Sequence, residues 1–348
     1  MATAIIISIP PDQLTAYCLN NPAPSAAQRS NALQPPALSH LSPMFIRQIH
    51  YLLALSKTEH FGRAAETCHV SQPALSTAIQ HLEEELGVTI VRRGQRFQGF
   101  TIEGDRLLQW ARILAQDWEC MRQEAAQCNR QLTGTLRIGA IPTTLAVAPL
   151  LTEPYQSDYP GVGIKLVSLC ADDLIRQLDN FELDLGLTYL EDPGLKGFRK
   201  LPLYRERHVL LARSPDPRLF KDNLGWADIA QLPLCLLTPN MQNRRLIDAA
   251  FREAGITPNI MLETDSVFAL YAYVRSAGLY SVVPHSLLSL FEMRQEVTAL
   301  PLNPELSREI GLISRRQDLP PPLQDAAWNI AQSLNLQHRF DGLITAIN

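Results

Sequence analysis

Between Ser71 and Leu86 the chain sets amide and hydroxyl side chains against aliphatic ones on a helical period. Leu75, Ile79, Leu82 and Leu86 recur at spacings of four, three and four, a stripe made for burial. Gln72, Ser76, Thr77 and Gln80 fall on the other side. Ser71 suits the N-cap, where its hydroxyl accepts from a free N–H of the first turn. Pro73 suits that first turn, where no helical hydrogen bond is lost, and Gly87 suits the end. Such a polar face does hydrogen-bonding chemistry. Gln pairs bidentately with adenine, Ser and Thr bond several base edges, and the helix start offers N–H groups to a phosphate. Arg92, Arg93 and Arg96 follow within five residues and carry charge for phosphates or a minor groove. A solvated hairpin is the alternative for them.

The surroundings are those that would hold such a helix in a groove. Three helical patterns run from Phe45 to Gly87, and Ala64-Ala65 in the second permits close approach. Residues 88–101 read as a hairpin, with Gly94 and Gly99 at turns. Three helices and an Arg-bearing hairpin make a winged helix-turn-helix, assigned to residues 44–102, whose third helix enters the major groove. Residues 44–104 hold six Lys and Arg against six Asp and Glu, so placement rather than bulk charge must supply affinity. Residues 1–43, rich in Pro, Asn, Ser, Gln and Ala, have no period and are read as a disordered extension.

A long helix from about Glu103 to Gln131 occupies the linker, residues 103–133. Leu107, Ala111, Leu114, Trp118, Met121, Ala125 and Cys128 step by four and three, a heptad seam that asks for a partner helix. Packing on the chain's own core is the alternative; the polar remainder of the helix favours a homodimer. From Gly134 onward, strands and helices alternate, which predicts an α/β domain over 134–348 with a mainly parallel sheet. Strands are predicted at 135–139, 163–169, 183–187, 208–212, 234–237, 280–283 and 309–314. Its length suggests two lobes, about 134–207 with 306–340 and about 208–305, with a ligand cleft between them.

These residues carry a family resemblance. Ala64-Ala65, the run Val70-Ser71-Gln72-Pro73-Ala74-Leu75-Ser76, Ile79, Leu82-Glu83 and Leu86-Gly87, then Arg93, Arg96, Thr101 and Gly104, resemble the N-terminal domain of LysR-type regulators. The resemblance runs over nearly everything after Met44. Ile90-Val91 departs from the usual Leu-Phe, a conservative core change. The resemblance implies an α+β chain: a winged helix-turn-helix, a dimerisation helix, and a two-lobed effector domain like a periplasmic binding protein. It implies dimers and tetramers on a promoter site of dyad symmetry in double-stranded DNA, with RNA polymerase as a further candidate partner. It also implies a small, often anionic effector.

Candidate effector residues follow the strands. Thr143 and Thr144 could cap a helix, donate to an anion, or both. Ser168 and Thr188 end strands. Gln242 and Arg244 open a helix with amides and cations suited to a carboxylate, while one of Arg244 and Arg245 reads as solvated. Ser266 and Phe268 could close the pocket. Ala171 stands where similar regulators often have Ser or Thr, and Asp172-Asp173 adds negative charge, which argues against a multiply charged anion. Leu237–Ile247 and Gly186–Leu190 are similar to a subgroup found with formate dehydrogenase operons, which makes formate or another small carboxylate the first signal to test.

Composition limits other readings. The 348 residues are 46% hydrophobic and 19% charged with a net charge of −4, ordinary for a globular chain. No nucleophile elbow, P-loop, zinc-protease or dinucleotide motif is found, so no enzyme, metal or cofactor is predicted. Six scattered cysteines include no C-x-x-C pair; inert thiols are favoured over a redox sensor. With no apolar run of membrane length and no basic residue before Ile5-Ile6-Ile7, the expected location is the cytoplasm. A free solute-binding protein would account for 134–348 but leave the helix-turn-helix unused.

Overall fold

The computed structural model describes residues 45–92, 94, 97–128, 132–214, 216, 224–290 and 297–345. The reading of 1–43, and those of Arg93 and Arg96, lie outside them. Contacts divide the chain into Met1–Gln48 and Ile49–Asn348. Of the first unit only the opening turn of α1 is described; the architecture below belongs to the second.

Helix α1 (Phe45–Thr58) leads into α2 (Phe61–Thr67) and α3 (Gln72–Leu86). The caps are local. His60 Nδ1 accepts from the N–H groups of Gly62 and Arg63 at 3.1 and 3.3 Å. Ser71 Oγ accepts from Ala74 N at 3.4 Å, and Gly87 ends α3 in the left-handed region at φ 65°. Leu75, Ile79 and Leu82 are fully buried, as are Leu52, Leu55 and Ala64. Among the described residues the predicted hairpin shows one antiparallel bridge, Val91 with Phe100, flanked by Arg92 N to Gly99 O and Thr101 N to Ile90 O. Glu83 on α3 holds its inner strand. Its Oε1 takes the N–H groups of Ile90 and Val91 at 2.8 and 2.9 Å, fixing the wing to α3 by charge-assisted bonds.

Helix α4 (Ile102–Cys128) starts where Thr101 Oγ1 accepts from Gly104 N at 2.9 Å. A Cβ at Gly104 would stand 2.2 Å from Ile90 O, so the wing and α4 meet too closely for any side chain there. Leu108 and Ala111 are buried within the chain, and Leu107 is half-buried. Ala111 therefore leaves the proposed seam: it lies on the inward stripe with Leu108. Leu114, Trp118 and Met121 are exposed, and the Cys128 side chain is not described.

The remainder alternates as predicted: β1 (Gly134–Ala140), α5 (Ala148–Asp158), β2 (Val162–Ser168), α6 (Ala171–Asp179), β3 (Leu185–Tyr189), β4 (Phe198–Arg213), β5 (Leu224–Gly225), α7 (Trp226–Ala230), β6 (Leu234–Leu237), α8 (Gln242–Glu253), β7 (Ile260–Thr264), α9 (Val267–Ala277), β8 (Ser281–Pro284), a 3-10 turn His285–Leu290, β9 (Val297–Asn303), β10 (Ser307–Arg315), α10 (Pro322–Ser333) and α11 (Leu336–Thr345). The main sheet runs β2-β1-β3-β10-β4-β9-β5, with β8 also on β4, and β6 pairs with β7 apart from it. The sheet is mixed rather than mainly parallel. β1 pairs in parallel with β2 and β3, but β10 runs antiparallel to β3 and β4, and β4 antiparallel to β8 and β9. The cause is β4, which is long enough to serve both lobes. Its first half pairs with β10 and its second with β8 and β9.

The first half of β4 was not legible because it alternates charge and carries Pro202. The ladder shifts register between Ile310 and Gly311, where Pro202 faces Gly311. A Cβ on Gly311 would meet Leu201 O at 2.5 Å. Each lobe has its own core. One gathers Leu136, Ile138, Leu185, Leu312 and Trp328; the other gathers Leu210, Trp226, Leu236, Phe251 and Val282.

Gly104→Ala should cost about 2–3 kcal/mol of stability, because neither the Ile90 carbonyl nor the α4 backbone can yield cheaply. Urea unfolding measures this, and an unchanged midpoint would contradict the close approach.

Candidate functional site

Two groups of polar residues stand out, one on α3 and one between the lobes. On α3, Gln72, Pro73, Thr77 and Gln80 are exposed and Ser76 is half-buried, opposite a fully buried Leu75 and Ile79. Ser71 is exposed and its hydroxyl caps the helix. Arg92 on the wing is exposed. Phe97 ties the wing tip back, edge-on to Phe61 at 6.2 Å and to Phe100 at 5.2 Å. The polar side of α3 is thus presented outward by a packed frame. Sequence reasoning quoted Glu83 only within a motif; its role as the wing's anchor depends on a contact seven residues away that periodicity does not show.

The second group centres on Glu206 of β4, which is fully buried. Tyr189 donates to its Oε1 at 2.7 Å, and Tyr204 and Ser286 donate to its Oε2 at 2.9 and 3.2 Å. Burial without a cation pushes the Glu206 carboxyl up to about 7 despite these three donors. Next along β4, His208 is also buried, and burial brings it down to about 4. One neutral tautomer satisfies its ring: Nδ1–H donates to Leu306 O at 3.2 Å while Nε2 accepts from Asn243 Nδ2 at 2.8 Å. Thr143 and Asn243 both face the Tyr189 phenol. The hydroxyls of Thr143 and Thr188, and Gln242 Oε1, are buried with no partner. Buried orphans of this kind mark places where a ligand or water completes the bonding.

The effector candidates separate accordingly. Thr143 faces the Tyr189 phenol, and Gln242 Nε2 bridges to Asp192 of lobe I at 3.0 Å, while Thr188, next to Tyr189 on β3, has a buried hydroxyl with no partner and, among the described residues, no contact that brings it to the other two. Thr144 does not offer its hydroxyl, which donates to Ile141 O at 3.0 Å and Leu187 O at 3.3 Å. Arg244 does not offer its charge. Its guanidinium is buried against Asp248 at 2.8 Å and Glu263 at 2.6 Å and donates to Leu237 O, so it braces α8 on β7. Arg245 is the exposed one of the pair. Ser168 is exposed, the Ser266 hydroxyl caps α9 through Ala269 N, and Phe268 is 75% exposed, so none of the three closes a pocket. Glu206, Tyr204 and Ser286 were missed, because their meeting depends on β4 crossing both lobes. Open clefts of about 520 and 540 Å³ lie elsewhere, one beside Tyr159 and Pro322, the other among Arg112, Arg137 and Lys165.

Among the described residues no group of three or more His, Cys, Asp or Glu is placed to hold a metal, and no helix is long and apolar enough to cross a membrane. Cys68, Cys120, Cys170 and Cys235 are free. Burial pushes the thiols of Cys68 and Cys120 up, and that of Cys235 up to about 11, the opposite of an activated thiolate.

Comparison with known proteins bears on both groups. Residues 129–334 match the LysR substrate binding domain, and residues 46–105 match the bacterial regulatory helix-turn-helix protein of the lysR family. The chain belongs to the LysR family of transcriptional regulators. It is 30% identical over 301 residues to the DNA-binding transcriptional dual regulator OxyR of Escherichia coli strain K12, covering 86% of this chain and 97% of OxyR. A full-length OxyR variant from Pseudomonas aeruginosa shares the fold, with a TM-score of 0.67 at 24% identity over 84% of this chain and 96% of that one. CbnR in complex with its target DNA does so with a TM-score of 0.57 at 20% identity, over 82% of this chain and 98% of that one. As a LysR-type regulator, the chain is a DNA-binding protein and not an enzyme.

Proposed function

We propose that this LysR-type regulator reads a dyad-symmetric promoter site with Gln72, Ser76, Thr77 and Gln80 of α3. The observation that carries the reading is the division of α3 into a fully buried aliphatic side and an outward amide and hydroxyl side. Ser71 and Pro73 start the helix against a phosphate, and Arg92, with Arg93 and Arg96, supplies the wing's charge. A DNA-reading role places the protein in the cytoplasm, with RNA polymerase as a candidate partner. Gln72→Ala and Ser76→Ala should each weaken binding to the specific site by about 1–3 kcal/mol and leave non-specific binding nearly unchanged. Gel shifts on DNA upstream of the chain's own gene, with a scrambled competitor, test this; equal loss on both DNAs would reduce the two residues to backbone contacts.

The exposed apolar line on α4 supports a dimer, and the family resemblance extends this to a tetramer of two dimers. Leu107, Leu114, Trp118 and Met121 occupy one seam, and Ala111 is left out because its own chain covers it. Replacing Leu114 or Trp118 with Glu should dissociate the assembly, and light scattering reads the mass. A dimer that survives both replacements sinks the seam.

The effector site is the cluster between the lobes. The Thr143 hydroxyl and the uncapped backbone N–H groups at the start of α8 are its unspent donors, with the Thr188 hydroxyl a further candidate, and they suit a small singly charged anion such as formate or a related carboxylate. Curated relatives are named hydrogen peroxide-inducible genes activators. The raised thiols of Cys68, Cys120 and Cys235 favour ligand binding over thiol oxidation in this chain.

A further inference from the structure

Glu206 ties the two lobes together without a counter-charge. Tyr189 reaches it from β3 in one lobe, Ser286 from the 3-10 turn in the other, and Tyr204 from β4 itself. The charged and titratable groups on the surrounding elements are spent or neutral. His208 is held neutral by burial, as is His285, whose Nδ1 accepts from Arg207 N. Arg207 itself pairs with Glu305 at 3.8 Å and Asp341 at 3.5 Å. Arg205 Nε donates to Ser307 Oγ, and Arg308 Nη1 to Ser307 O. On α8, Arg244 is committed to Asp248 and Glu263, and Gln242 to Asp192.

Near this carboxylate, on the far side of the Tyr189 phenol, the Thr143 hydroxyl is buried with no hydrogen-bond partner among the described residues, and no side chain caps the start of α8. Tyr189 joins the two sets, since its phenol donates to Glu206 and is faced by Thr143 and Asn243. An anion drawn to those donors comes to rest near a dry carboxylate with no cation to separate the charges. Two such anions cannot both stay ionised in one dry site, and a proton is retained between them.

We propose that binding of a small anion in the inter-lobe cluster is coupled to uptake of one proton from solvent by Glu206, so that the regulator senses the ligand and acidity together. The inference rests on the anionic reading of the effector site. On protonation the Glu206 O–H becomes a donor. One of the three hydroxyls that now donate to it must then reverse and accept from that O–H, and Ser286, at 3.2 Å the longest of the three bonds, is the one that reverses most readily. The proton thereby alters a link between lobes as well as the charge at the ligand.

Calorimetry on the full chain with sodium formate and sodium acetate, from pH 6 to pH 8 in buffers of different ionisation enthalpy, tests the coupling. With Glu206 near pH 7, Kd should rise about tenfold from pH 6 to pH 8. Proton uptake per ligand should be small at pH 6 and approach one at pH 8. Glu206→Gln, a neutral isostere, should bind with the low-pH affinity at every pH and take up no proton. Should that variant not fold, proton counting on the unaltered chain decides alone. Binding with the same Kd and no proton uptake across the range overturns the coupling and leaves the anion site standing. If neither anion binds at any pH, the anion reading of the site fails and the coupling falls with it.

Discussion

Burial of Leu75, Ile79 and Leu82 is the constraint on which the DNA-reading end depends. With those three side chains inside, the helical period fixes the direction of every other residue of α3, and Gln72, Thr77 and Gln80 are turned outward. Full burial of three such side chains is worth roughly 1.5–3 kcal/mol apiece, so rotating α3 to hide its polar face would be prohibitive. Glu83 lies between the two faces and spends its carboxylate on the wing. The base of the wing, at Ile90 and Val91, is thereby tied to the reading helix.

The effector half depends on a different device. β4 belongs to both lobes, and it carries Tyr204, Glu206 and His208 through the crossing point. Residues from each lobe converge on that stretch: Tyr189 from one side, Asn243 and Ser286 from the other. A change in bonding at Glu206 is consequently felt by both lobes at once.

The reader was legible from sequence because its signals are local. Caps, the aliphatic stripe and the glycine stop all lie within seventeen residues, and each is a nearest-turn effect. The polar cluster between the lobes was half legible. Thr143, Thr188 and Gln242 follow strands, which is where α/β clefts form, and they were named for that reason. Glu206 was not, because a lone Glu in a charged run reads as a solvated face until the crossing of β4 buries it. Arg244 shows the converse: its place at a helix start suggested an anion, yet Asp248, one turn on, and Glu263, on a parallel neighbour strand, claim it. The mixed sheet has the same origin, since antiparallel pairing through β4 joins segments about a hundred residues apart.

The outward face of α3 lies at the centre of this account, and its nearest neighbour on DNA can be found directly. A photo-crosslinking residue placed at Thr77 should join the chain to bases of DNA from upstream of its gene, while the same group at exposed Glu253 on α8 should not. Crosslinks from Thr77 that map only to protein, under conditions where the complex is intact by gel shift, would contradict it.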